Sequence, residues 1–191
     1  MVLLVFDLDD TLLPSHHFHK INQELSSNGT WGNSIDYVYK KHIPGDTRLQ
    51  KLLEENPYPK FIATNAIMQH SIASTKALGI IHFFQDMQYR KDNQKPFPQY
   101  YEITTKMLEI YCEKQRLLFS KERIIFFDDL KENHIVPKQR HWITVWISDS
   151  RDTIKPSYVD YIYPNIYEAL SDVKKGCLTT NANASDCLRF P

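Results

Sequence analysis

Short runs of consecutive apolar residues alternate along this chain with segments whose apolar positions recur every three or four residues. The first run is Val2-Leu3-Leu4-Val5-Phe6, and unbroken apolarity of this kind predicts a strand buried on both faces, as in a parallel sheet. Phe61-Ile62-Ala63, Ile124-Ile125-Phe126-Phe127 and Ile143 to Ile147 predict further strands, with a weaker one at Tyr161-Ile162-Tyr163. Helical spacing fills the intervals. Residues 47–55 place Leu49, Leu52 and Leu53 on one face, and residues 67–78 carry Ile67, Ile72 and Leu78 with Gly79 as C-cap. Residues 98–115 turn Tyr101, Met107, Leu108, Tyr111 and Cys112 inward. Strand alternating with helix predicts an α/β fold with a doubly wound, mainly parallel sheet.

The stretch between Leu13 and Pro44 breaks that rhythm. Residues 16–25 predict one helix and residues 34–42, with Ser34 as N-cap, a second; Ser26 to Asn33 is a polar loop holding Trp31. The expected organisation is an α/β core of residues 1–13 and 44–173, interrupted after the first strand by a small helical cap, residues 14–43. The Thr-, Asn-, Ala- and Ser-rich tail, residues 174–191, is expected to be flexible.

Composition narrows the function. The 191 residues suit one domain able to bury a sizeable core. Lys+Arg and Asp+Glu balance at 23 each, which argues against a nucleic-acid binder with a broad basic face. No apolar run reaches the length of a membrane span. The apolar N-terminus lacks a basic flank and a small-residue cleavage site, so it reads as a strand and not as a signal peptide. Cys112, Cys177 and Cys187 show no metal-binding spacing and are expected as reduced thiols of a cytoplasmic protein. Asn28-Gly29-Thr30 and Asn183-Ala184-Ser185 match glycosylation sequons, read here as chance.

Chemistry gathers at the strand ends. Asp7, Asp9 and Asp10 crowd the end of the first strand, and carboxylates so close need a cation or a proton nearby. In an extended chain Asp7 and Asp9 share one side, so one can serve as nucleophile and the other as general acid/base. Phe61-Ile62-Ala63 ends in Thr64-Asn65, where a hydroxyl and helix-opening amides can hold a phosphoryl group. Lys95-Pro96 precedes a helix, with the lysine placed to neutralise a phosphate or the nucleophile. Ile124 to Phe127 ends in Asp128-Asp129, which with Asp7 would complete an all-oxygen Mg²⁺ site; Asn133 follows in the same loop.

This order of motifs over about residues 1–170 resembles the haloacid dehalogenase-like hydrolases, whose phosphatases use Asp-x-Asp-x-Thr, then Thr/Ser, then Lys, then an acidic pair. Thr64-Asn65-Ala66, Lys95-Pro96 with Tyr100-Tyr101, and Phe127-Asp128-Asp129 with Asn133 look like the pyrimidine 5′-nucleotidase-like branch. The resemblance implies that Asp7 attacks phosphorus to form an aspartyl-phosphate, while Asp9 protonates the leaving oxygen and later deprotonates the attacking water. It also implies Mg²⁺ held by Asp7, the Asp9 carbonyl and the Asp128/Asp129 pair, with Asp129 the preferred direct ligand. Thr64, Asn65 and Lys95 are the implied substrate contacts. The implied substrate is a small phosphorylated metabolite such as a nucleoside monophosphate. A phosphatase for protein or nucleic-acid ends and a non-catalytic interaction module are the alternatives. The chain departs from the pattern in Asp10, Leu130 and a cap segment short for that branch.

Other features read as structural. His16, His17 and His19 are expected on a solvated cap helix, with a metal site, or substrate contact by His16 or His17, as the alternatives. Trp31 is expected to pin the cap to the core, with stacking on a base as the alternative. Lys40-Lys41-His42 reads as a solvated helix end, and Tyr100, Tyr101 and Tyr111 as core.

Overall fold

The computed structural model describes residues 1–14, 16–28, 35–149 and 154–178, without the side chains of residues 18, 19 and 26–28. Six strands form one parallel sheet: β1 (Leu3–Phe6), β2 (Lys60–Ala63), β3 (Phe84–Gln88), β4 (Ile124–Asp128), β5 (Ile143–Ile147) and β6 (Tyr161–Tyr163). Their order is β3-β2-β1-β4-β5-β6. The chain winds outward from β1 through β2 to β3, then returns to the other side of β1 and winds outward again. The reversal opens a crevice at the carboxyl ends of β1 and β4, where ligands of such sheets bind.

The helices are α1 (His16–Asn28), α2 (Ile35–His42), α3 (Thr47–Glu55), α4 (Met68–Leu78), α5 (Pro98–Lys114), α6 (Ile135–Gln139) and α7 (Ile166–Lys174). Period-2 alternation divides the strand side chains between two cores. Leu4, Phe6, Ile62, Ile125, Phe127 and Val145 face one side with α1–α4 and α7. Leu3, Val5, Phe61, Ile124 and Phe126 face the other with α5 and Trp142. Phe6 and Phe127 stack at 4.7 Å between ring centroids, which locks β1 to β4 directly beneath the crevice.

All five strands expected from the sequence are present, most within a residue of the expected bounds. The sixth, β3, is the edge strand Phe84-Gln85-Asp86-Met87-Gln88. It is half-exposed and mixed in polarity, so it lacks the apolar run that marks its neighbours. The helix α7 was also not anticipated; Asn165 caps it by accepting from the Glu168 N–H at 3.1 Å.

Two expectations change here. Residues 174–178 are not a loose tail: α7 runs through Lys174, and Leu178 is buried in the larger core. Residues 179–191 lie outside the described residues. Cys112 is free and buried, but Cys177 is disulfide-bonded, so three reduced thiols are not what the fold contains. The cysteines therefore give no argument for a reducing compartment. No helix among the described residues is long and apolar enough to cross a membrane.

Two helices, α1 and α2, do follow β1, and α2 packs on α1 and on α4. Lys41 and His42 are more than a solvated helix end. They reach Glu24 of α1 at 2.8 and 2.6 Å and stitch the pair together. The expected Ser34 cap, the Trp31 loop and both sequons' central residues fall outside the described residues.

Candidate active site

Sheet register brings the first two groups together and sets the end of β2 beside them. Phe6 pairs with Phe127 on one side and Ile62 on the other, so the next residues are Asp7, Asp128 and Ala63, side by side. The Asp7 N–H donates to the Phe127 carbonyl at 2.8 Å and carries β1 to its end. Beyond it the chain turns sharply. Asp10 takes φ 58°, a left-handed conformation that Asp tolerates better than most residues, and its N–H donates to the Leu13 carbonyl at 2.7 Å. A position of this kind favours Gly or Asn, and Asp is among the residues that can also hold the turn.

Lys95 lies at the centre. Its Nζ is 2.7 Å from Asp7 Oδ1 and 2.5 Å from Asp128 Oδ2, with all three side chains buried. A cis peptide joins it to Pro96. Asn65 holds this lysine by its backbone: the Lys95 N–H donates to Asn65 Oδ1 at 2.7 Å, and Asn65 Nδ2 donates to the Lys95 carbonyl at 3.1 Å. Asn65 is expected from the sequence as a substrate contact; in the structure its amide clamps the loop that delivers Lys95. Thr64 is buried, and its hydroxyl accepts from the Ala66 N–H at 3.1 Å, which leaves the hydroxyl proton to donate.

Asp128 is heavily engaged. Oδ1 accepts from the Leu130 N–H at 2.9 Å and Asn133 Nδ2 at 2.8 Å, while Oδ2 faces Lys95. Asn133 thus anchors the acidic loop, and Leu130 takes part through its backbone alone. Asp129 is partly buried, and Trp146 Nε1 fixes its carbonyl at 2.7 Å. The two tyrosines read as core are indeed buried, but each hydroxyl also supports the site. Tyr100 donates to the carbonyls of Thr64 and Gln88 at 2.9 and 3.2 Å, and Tyr101 to that of Asn133 at 2.6 Å.

Burial and repulsion dominate the electrostatics. Burial pushes the Asp7 carboxyl well above the usual carboxylate range; Lys95 opposes the rise and Asp128 adds to it. Burial raises Asp129 to about 6, with the Asp128 and Asp10 charges contributing. Burial works against the Lys95 ammonium, but the Asp128 and Asp7 charges outweigh it and raise its pKa. Three carboxylates thus share one cation. Asp7, Asp128 and Asp129 each offer an oxygen within 4.8 Å of the others, the hard all-oxygen donor set that suits Mg²⁺. It is the one cluster of metal-type side chains found among the described residues.

Asp9 turns toward α4. Its Oδ1 is 2.9 Å from His70 Nε2, and the side chain remains 36 % exposed at the crevice. His70, with Tyr39 behind it, went unread in the sequence. The available signal was a histidine on the first turn of the helix that follows the Thr64-Asn65 strand end. His16 and His17 pack ring on ring at 4.1 Å and belong to no metal-type cluster among the described residues. Partial burial, with the His16 charge next, lowers the His17 pKa. The His19 side chain and Trp31 lie outside what the structure describes.

No protein-family model matches the chain. No curated protein matches it either. Solved structures do. The HAD phosphatase of Thermococcus onnurineus is 16% identical, with a TM-score of 0.59 over 91% of this chain and 98% of that one. YfnB of Bacillus subtilis, assigned as a HAD-hydrolase and solved bound to magnesium, is 14% identical, with a TM-score of 0.64 over 92% of this chain and 98% of that one. The L-2-haloacid dehalogenase of Xanthobacter autotrophicus is 12% identical, with a TM-score of 0.57 over 91% of this chain and 99% of that one. The chain therefore has the Rossmann-like α/β fold of the haloacid dehalogenase-like hydrolases, a fold that carries both phosphatases and dehalogenases.

Proposed function

We propose that this protein is a Mg²⁺-dependent phosphomonoester hydrolase that works through an aspartyl-phosphate on Asp7. The observation that carries the reading is the convergence of Asp7, Lys95, Asp128 and Asp129 at the ends of β1 and β4, with a second carboxylate, Asp9, two residues after the nucleophile. A dehalogenase needs no acid at the Asp9 position; an ester hydrolase has a leaving oxygen to protonate.

In this mechanism an Asp7 carboxylate oxygen attacks phosphorus opposite the leaving oxygen, and Asp9 gives that oxygen a proton. Asp9 then takes a proton from the water that hydrolyses the aspartyl-phosphate. Lys95 and the Thr64 hydroxyl stabilise charge on the transferring phosphoryl oxygens. Asp7, the Asp9 carbonyl and the acidic pair would hold the Mg²⁺. With both Asp128 oxygens already engaged, Asp129 is the direct ligand of choice. When bound, the ion supplies positive charge that lets an anionic nucleophile approach an anionic ester.

The substrate we assign is a small phosphorylated metabolite, a nucleoside monophosphate first among them, with α1 and α2 as a small cap. The nucleotidase-like motifs Thr64-Asn65-Ala66 and Lys95-Pro96 favour this over phosphoprotein or nucleic-acid ends. Release of phosphate from nucleotides, sugar phosphates, a phosphopeptide and a 3′-phosphorylated oligonucleotide tests the assignment, with Mg²⁺, with EDTA and with Asp7→Asn. Mg²⁺-dependent release from the small esters supports it. Release confined to the macromolecules overturns the substrate class, and release unaffected by Asp7→Asn overturns the mechanism.

A further inference from the structure

The candidate acid sits at the end of a hydrogen-bonded chain that begins in the inserted helices. His70 Nε2 is 2.9 Å from Asp9 Oδ1, and on the far side of the ring Nδ1 is 2.5 Å from the Tyr39 hydroxyl. Tyr39 comes from α2 and is buried; His70 comes from the first turn of α4, with its side chain 14 % exposed. Ser74, one turn further along α4, places Oγ 3.4 Å from His70 Nε2.

The proton positions follow from the partners. Burial, with the Asp9 charge second, pushes the Tyr39 phenol up to about 12, so it keeps a proton that it can donate across the 2.5 Å contact to Nδ1. A neutral imidazole has one donor and one acceptor. With Nδ1 accepting, Nε2 carries the hydrogen and donates it to Asp9 Oδ1. The hydrogen bond at one ring nitrogen fixes what the other can do. Asp9 needs such a tether, because it lies just past the strand end and is more exposed than Asp7 or Lys95. Occupying Oδ1 leaves the second carboxylate oxygen for the ester.

We propose that His70 is a positioning residue for Asp9 and that Tyr39 fixes its tautomer, so that the acid is aligned only while α2 is seated on α4. The inference rests on the phosphatase reading above and adds two residues to it. Its mark is selective, because a general acid matters in proportion to how badly the leaving oxygen needs a proton.

The experiment compares kcat/KM, which reports the steps through departure of the leaving group, for phenyl phosphate and dinitrophenyl phosphate. The two esters are similar in shape, but dinitrophenolate leaves without help. His70→Ala is expected to lower kcat/KM for phenyl phosphate about 100-fold and for dinitrophenyl phosphate less than about 5-fold. His70→Gln keeps an amide N–H near the Nε2 position and restores part of the loss. Tyr39→Phe shows the same selectivity at about 10-fold. Equal losses on both esters, or none, overturn the proposal. Histidine ¹⁵N spectra of the wild type give a readout apart from turnover: the Nε2–H tautomer for His70 supports the chain, and the Nδ1–H tautomer overturns it. A wild type that hydrolyses neither ester overturns the phosphatase reading together with the role of His70. The tautomer then shows separately whether the chain itself is right.

Discussion

At the residue scale, the Asp7 and Asp129 carboxylates are costly to the fold as charges and useful in the chemistry. Asp7 is buried beside another carboxylate, and its raised pKa records how poorly the metal-free protein tolerates its charge. Asp7→Asn should therefore abolish phosphate release yet raise metal-free stability near neutral pH by roughly 1 kcal/mol, read as a higher Tm without Mg²⁺. An unchanged or lower Tm would mean that the charge is already compensated. Asp129 gives a pH dependence. Its folded pKa of about 6 lies above the ordinary carboxylate range, so its contribution to stability is present at low pH and is lost as pH rises through about 6. A divalent cation needs the deprotonated form. The Tm increase caused by Mg²⁺ should thus be small at pH 5 and grow as pH rises through about 6, and Asp129→Asn should remove the growth centred there. A Mg²⁺ effect independent of pH, or preserved in Asp129→Asn, would point to a different ligand set. The carboxylates, Thr64 and Lys95 were legible because strand ends concentrate groups with no structural reason to be there. The structural part played by Asn65 was not legible, since only the folded chain shows its amide closing on the Lys95 backbone. His70 was unread, since its meaning depends on Asp9, 61 residues away in sequence.

At the element scale, the site depends on how α2, α3 and α4 are held. Helix α4 ends at Gly79, φ 74°, where the Gly79 N–H donates to the Lys76 carbonyl and the Ile80 N–H to that of Thr75. The turn is crowded as well as left-handed: a Cβ at Gly79 would stand 2.5 Å from Gln50 Nε2, which donates to the Leu78 carbonyl at 2.8 Å. Gly79→Ala should therefore cost about 1–2 kcal/mol, combining left-handed strain with displacement of Gln50. Denaturant unfolding measures it, and a neutral result would show that the helix end relaxes freely. The N-cap of α3 ties two elements together, because Asp46 accepts from the Leu49 N–H at 2.8 Å and from the Tyr167 hydroxyl of α7 at 2.6 Å. Asp46→Ala should cost about 1–2 kcal/mol in the same assay, and Tyr167→Phe part of that. Gly79 was readable as a C-cap from its place after an apolar helix face. The edge strand β3 was not, because an edge needs no continuous apolar run and its mixed residues match no single period.

At the scale of the whole molecule, two apolar cores on either side of a parallel sheet hold β1 and β4 in register. That register, and not any local motif, sets Asp7 beside Asp128. The strand order reverses between the same two strands, so the crevice that the topology opens is the crevice that the carboxylates line. Alternation of apolar runs with helical spacing made this architecture legible from the chain. The pairing of α2 with α4 was not, because contacts between elements distant in sequence leave no periodic trace. The central claim is that Asp7 takes the phosphoryl group, and mass measurement of the acid-quenched protein tests it most directly. During turnover of a good phosphate monoester with Mg²⁺, the peptide containing Asp7 should carry one added phosphoryl group, absent with EDTA and absent in Asp7→Asn. Turnover with no such adduct in Asp9→Asn, where the aspartyl-phosphate should accumulate, or an adduct on any other residue, would contradict the account.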